Sequence, residues 1–87
     1  MMKRIRPLSS FSWEETPRAL KKTFEFEGFD EASDFIKNII PICRSLNHHP
    51  SITWTYNKVA LSLSTHDQGD IVTHKDHALA QAIDQVI

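Results

Sequence analysis

Residues 51 to 66 read SITWTYNKVALSLSTH and alternate apolar with polar twice over. Ile52, Trp54 and Tyr56 alternate with Ser51, Thr53 and Thr55. Val59, Leu61 and Leu63 then alternate with Ala60, Ser62 and Ser64. A period of two sends successive side chains to opposite faces of a pleated strand, so this stretch is read as two strands, a hairpin turning at Asn57-Lys58. Such a hairpin has one apolar face, and the remaining 71 or so residues must supply the layer that covers it.

The same alternation occurs upstream. Leu20, Lys22, Phe24 and Phe26 point one way and Lys21, Thr23, Glu25 and Glu27 the other, which predicts a half-buried strand over residues 20 to 27. A short strand around Trp13 precedes it, with Thr16-Pro17-Arg18 as a turn. Between the two hairpins the period changes. Ala32, Phe35, Ile36, Ile39, Cys43 and Leu46 recur at helical spacing after Gly28, with Asp30 as the expected N-cap. Pro41 lies inside this pattern and predicts a kink or an early end. Thr73 and Asp76 have the spacing of a capping box, opening a second helix with Ala78, Leu79, Ala82, Ile83 and Val86 on one face.

The order is ββαββα. It predicts a two-layer α+β fold: a four-stranded antiparallel sheet with both helices packed on one face. At 87 residues the chain is expected to form one domain over residues 11 to 87, preceded by an irregular arm over 1 to 10. A domain this small buries a modest core, and self-association would stabilise it.

Charge narrows the function. The net charge is −1, and the only basic clusters are Lys3-Arg4-Arg6 and Lys21-Lys22, so nucleic acid is not expected as a direct ligand. Trp13, Trp54, Phe24 and Phe26 are read as core or interface aromatics, because no basic residues interleave with them. Cys43 is the single cysteine and has apolar neighbours, which fits a buried thiol in a reducing cytoplasm. The N-terminus lacks the apolar run of a secretory signal. The longest apolar stretch, FIKNIIPICRSL, is interrupted by Lys37 and Arg44 and is too short to span a bilayer, so no membrane association is expected.

The chemistry-bearing residues are the histidines. Imidazole gives and takes a proton near neutrality. His48 and His49 follow the first helix, in NHHP, and His66 ends the last strand on the face away from the core. In a two-layer fold of this order the two places can approach, and a cleft lined by three imidazoles suits acid–base work on a polar molecule. From spacing alone an incidental surface pair is the favoured reading. A metal site is not indicated, since adjacent histidines converge poorly on one ion. His74 and His77 fall in the first turn of the second helix and are read as solvent-facing. Asp76, on these grounds, is first of all a helix cap.

Taken together, Arg44-x3-His48-His49-Pro50-x5-Tyr56-x9-His66-x9-Asp76 resembles the signature of the pterin-4a-carbinolamine dehydratases. Some members of that family also serve as the dimerisation cofactor of a homeodomain transcription factor. The similarity extends through TYNKVALSLSTHD, TFEFEGF, the EASDF helix start and Ala80 to Asp84, and covers roughly residues 11 to 87. The resemblance implies loss of water from a 4a-hydroxytetrahydropterin to give quinonoid dihydropterin, as cofactor recycling by aromatic amino acid hydroxylases requires. It implies neither metal nor organic cofactor, and association as a homodimer or homotetramer. Carried over by position, His48 and His66 match the acid–base pair, either able to take either role, and His49 matches a histidine that contacts the pterin. Ile52, Trp54, Thr65 and Asp76 complete the implied substrate site, with Asp76 in support rather than in proton transfer. Arg44 holds a position that is commonly acidic, and Ile52 stands where animal members carry tryptophan. These two departures motivate an alternative: a weakly catalytic dimerisation or protein-binding module on the same fold. An ancillary role in molybdopterin metabolism would use the same pocket.

Overall fold

The computed structural model describes residues 5–10 and 12–87. Its elements are β1 (Ser9–Ser10), β2 (Glu14–Glu15), β3 (Leu20–Glu25), α1 (Phe29–Leu46), β4 (Ser51–Thr55), β5 (Lys58–Leu63), a 3₁₀ turn over His66–Gln68, and α2 (His74–Asp84). The sheet is antiparallel throughout, in the order β1-β3-β5-β4, with β2 also pairing with β3. The α+β class agrees with the sequence pattern, and from β2 onward so does the ββαββα order.

Among the described residues the sheet nevertheless has five strands, not four. Ser9 and Ser10 of the arm pair with Glu25 and Phe24, and Ile5 is buried in the core. An unpaired edge on β3 would leave its backbone groups to water alone, and the arm satisfies them while adding an apolar side chain to a small core.

One apolar layer lies between sheet and helices. Leu20, Phe24 and Phe26 with Val59, Leu61 and Leu63 meet Ala32, Phe35, Ile39 and Cys43 of α1 and Leu79, Ala80 and Ile83 of α2. The Phe35 ring lies 4.8 Å from Phe24 and 5.0 Å from Phe26, centroid to centroid. On α2, Ala80 is buried where Ala78 was expected; Ala78 is exposed, and Ala82 and Val86 instead line an apolar groove with Pro41, Ile42 and Leu46. Burial raises the Cys43 thiol above its ordinary range, an inert environment for a nucleophile.

Three local departures have physical causes. α1 starts at Phe29 after an extended Gly28, so Asp30 and Glu31 lie in its first turn, where negative charge complements the helix dipole. α1 also continues past Pro41 to Leu46. Pro41 and Lys37 are both exposed, so water can serve the Lys37 carbonyl, while buried Ile39 and Cys43 hold the helix to the core on the opposite side. The β4–β5 turn lies at Tyr56-Asn57, because Thr55 pairs with Lys58. Asn57 is fixed there by two bonds to Phe26: its side-chain amide donates to the Phe26 carbonyl at 2.9 Å and its own carbonyl accepts from Phe26 N–H at 2.8 Å. Tyr56 consequently adopts a left-handed conformation, φ 51°.

Lys22 is charged yet faces the core side of β3. Its side chain is 10% exposed; Nζ lies 2.9 Å from Asp84 Oδ1 and 5.0 Å from the centre of the Phe24 ring. Asp84 Oδ2 also accepts from the Trp13 indole N–H at 3.0 Å, so one carboxylate ties α2 to β3 and to the segment before β2. Asp84→Ala should cost about 1–3 kcal/mol, because it leaves a mostly buried ammonium and an indole donor without acceptor. Lys22→Met should cost less, since it removes the charge that needs a partner. Urea denaturation compares the two, and equal losses would contradict the orphaned-charge explanation.

Candidate active site

Two chain reversals bring the histidines together. α1 ends at Asn47, whose left-handed backbone (φ 50°, ψ 42°) lets Asn47 N–H reach the Arg44 carbonyl and His48 N–H reach the Cys43 carbonyl, each at 3.1 Å. This paired closure is a Schellman motif, and it turns His48 back under the helix end. On the other side, Thr65 leaves β5 and pairs with Ile71, closing a loop that starts with His66. His48, His49 and His66 then line one cleft of about 580 Å³, together with Asn47, Asp67 and Lys75.

Behind the cleft lies Asp76, with no exposed surface. Its Oδ1 is 2.5 Å from His48 Nε2. Its Oδ2 accepts from Thr65 Oγ1 and from Thr73 N–H, both at 2.8 Å. The donors run in one direction: Lys75 N–H to Thr73 Oγ1 at 3.3 Å, Thr73 to Thr65 between hydroxyls 2.7 Å apart, and Thr65 to the carboxylate. Burial by itself would raise the Asp76 carboxyl. The hydrogen bonds from His48, Thr73 and Thr65 outweigh it and hold the group below its ordinary range, hence ionised.

An ionised carboxylate only accepts, so His48 carries a proton on Nε2 and its Nδ1 is the atom left to exchange one. His48 is 12% exposed in its side chain, a partly dry environment that holds the ring in place. The thread from the capping box to the histidine is therefore a single carboxylate: Asp76 caps α2 and orients His48 at once.

His66 differs in setting. Its side chain is 81% exposed, and Nδ1 is 2.5 Å from Asp70 Oδ1. His49 is exposed at the rim; Arg44 is exposed on the last turn of α1 and is not among the cleft-lining residues. Of the other residues singled out in the sequence, Thr65 and Asp76 stand behind the cleft wall. Ile52 and Trp54 lie outside it on β4, where Trp54 stacks on Phe29 at 4.6 Å. His74 and His77 are exposed; His77 Nε2 is 3.4 Å from Glu15 Oε1. Among the described residues no group of three or more His, Cys, Asp or Glu side chains is arranged to hold a metal ion, and no helix is long and apolar enough to cross a membrane.

Sequence reasoning passed over Asn47, Asp70 and Lys75. An asparagine directly after the last helical residue is a recognised left-handed stop, so Asn47 had a signal. Asp70 had only its position four residues after His66 in a glycine-containing loop.

A two-layer α+β domain that gathers three imidazoles beside a buried carboxylate has the equipment of a proton-transfer site for a small polar molecule. The sequence model of the family described as pterin 4 alpha carbinolamine dehydratase matches residues 2–86, and the chain belongs to that family. A Sulfolobus acidocaldarius protein, provisionally named as a pterin-4-alpha-carbinolamine dehydratase, is 40% identical over 84 residues, covering 97% of this chain and 89% of its own length. The crystal structure of a transcriptional coactivator/pterin dehydratase from Brucella melitensis superposes with a TM-score of 0.76 at 25% identity, covering 92% of this chain and 83% of that one. A pterin dehydratase-like protein described as a RuBisCO assembly factor in the alpha-carboxysome shares the fold, with a TM-score of 0.70 at 22% identity over 87% of this chain and 89% of its own.

Proposed function

We propose that the chain is a hydro-lyase that dehydrates a 4a-hydroxytetrahydropterin, using His48 and His66 as the acid–base pair with His49 against the ring. The observation that carries this reading is the convergence of the three imidazoles, from two separate chain reversals, on one cleft. The reaction removes one hydroxyl and one proton. An acid protonates the 4a-hydroxyl so that it departs as water, the N5 lone pair forms the C4a=N5 bond, and a base takes the N5 proton. One histidine ends protonated and the other deprotonated, and exchange with water restores both. Asp76 fixes which nitrogen His48 offers. No bound metal is required for any of these transfers.

The direct test follows loss of freshly generated 4a-hydroxytetrahydropterin by rapid-mixing absorbance. The expected result is a saturable rate well above spontaneous dehydration. A rate equal to the spontaneous one, even at stoichiometric protein, would refute the reading.

The second reading, a protein-binding or dimerisation module, draws support from β4. This edge strand is exposed along its whole length, carries no charge, and displays Ile52 and Trp54 beside exposed Phe29 and Tyr56. Pairing of β4 with a second copy would cover that edge, in line with the homo-oligomer that the family resemblance implies. The two structural relatives, one described as a coactivator/dehydratase and the other as an assembly factor, point the same way. Cytoplasmic action in tetrahydropterin recycling fits the reduced, buried Cys43.

A further inference from the structure

The loop from Thr65 to Ile71 has a conformation that its side chains do not explain by packing. Its backbone closes on itself: Thr65 N–H donates to the Ile71 carbonyl at 2.8 Å, Asp70 N–H to the Thr65 carbonyl at 3.1 Å, and Gly69 N–H to the His66 carbonyl at 3.1 Å. Arg18 reaches the Gly69 carbonyl from outside at 3.4 Å. Within this loop Gly69 and Asp70 are both left-handed, φ 86° and φ 58°. Glycine adopts that region freely, and aspartate is one of the few other residues that enters it, at a modest cost. What the aspartate gains is contact with His66: its Oδ1 lies 2.5 Å from His66 Nδ1.

We infer that Asp70 is a positioning residue for His66, accepting from Nδ1–H and so presenting Nε2 to the cleft. The inference rests on the reading of His66 as a member of the acid–base pair. It adds a division of labour by ring nitrogen. His48 is held through Nε2 by Asp76 and offers Nδ1; His66 is held through Nδ1 by Asp70 and offers Nε2. The two rings thus face one cleft as opposite tautomers, each fixed by a carboxylate that can only accept. In an unconstrained neutral imidazole the proton sits mostly on Nε2, and an exposed His66 without Asp70 would then turn a donor toward the substrate where a base or a rechargeable acid is needed. Asp76 is buried and Asp70 is 61% exposed, so the second clamp is the weaker one and the one that can be removed without opening the core.

Asp70→Gly is the suitable variant, because the backbone bonds that close the loop remain and glycine accepts φ 58° without strain. Two-bond proton–nitrogen NMR spectra at alkaline pH read the His66 tautomer, and rapid-mixing kinetics read turnover in the same preparation. His66 should shift from mostly Nδ1–H to mostly Nε2–H, His48 should keep its tautomer, and kcat should fall about 10–100-fold, taking as a guide the loss when partners that orient metal-bound imidazoles are removed. An unchanged His66 tautomer overturns the inference, as does a changed tautomer with unchanged kcat. His66→Ala separates the two levels. If it is slow while Asp70→Gly is as fast as the parent, the inference alone fails. If His66→Ala is itself as fast as the parent, the assignment of His66 fails first.

Discussion

His48→Ala should lower the proposed dehydration of 4a-hydroxytetrahydropterin by about 10²–10⁴-fold, the loss expected when a positioned proton-transfer group is removed. His48 is the better placed of the two proposed transfer groups: its ring is nearly buried, anchored by the shortest of Asp76's hydrogen bonds, and attached to a backbone fixed by the Asn47 reversal. The fold should survive the change, since Asp76 keeps its bonds from Thr65 and Thr73 N–H and the truncation leaves room for water at the cleft wall. Circular dichroism and a urea midpoint establish that survival. A folded variant that turns over within threefold of the parent would remove His48 from the mechanism.

Asp76→Ala should have the larger effect on stability, about 2–4 kcal/mol from the sum of a lost helix cap and buried donors left without acceptor. Turnover should fall with it, because His48 loses its anchor. The same carboxylate sets an acid limb. Its folded pKa is depressed below the ordinary 3.8, so its stabilisation is fully present above 3.8 and is lost as pH falls through the lower, folded value. Between those two values the unfolded chain binds the extra proton, and unfolding becomes easier. Urea midpoints measured from neutral pH down into that range should decline for the parent, and decline less for Asp76→Ala. Parallel declines would mean that other carboxylates govern acid unfolding.

Much of this was legible because it is local. The alternation in residues 51 to 66 gave both strands, and the Thr73/Asp76 spacing gave the start of α2 and its capping box. The histidine pair and His66 were singled out together, and they do share a cleft. What escaped was decided by partners distant in sequence or by rare backbone states. The turn moved to Tyr56-Asn57 because Asn57 is claimed by Phe26, 31 residues away. Pro41 failed to end α1 because the helix is held by its buried side, which no local propensity records. Ser9 and Ser10 became a strand only because β3 offered a free edge. Asp76 looked like a cap and is one; the family resemblance also set it in support of the site, but its bond to His48 spans 28 positions and follows from no local pattern.

That double use of Asp76 has a consequence for local unfolding. Fraying of the first turn of α2 is ordinarily the easiest opening a helix undergoes. Here the carboxylate that would be released also holds the His48 ring and the Thr65 hydroxyl, so opening of the helix terminus is coupled to the end of β5 and to the reversal after α1. A region that would otherwise breathe on its own is joined to a larger cooperative unit. Opening of the α2 terminus would therefore disturb the setting of the His48 ring as well as the helix itself.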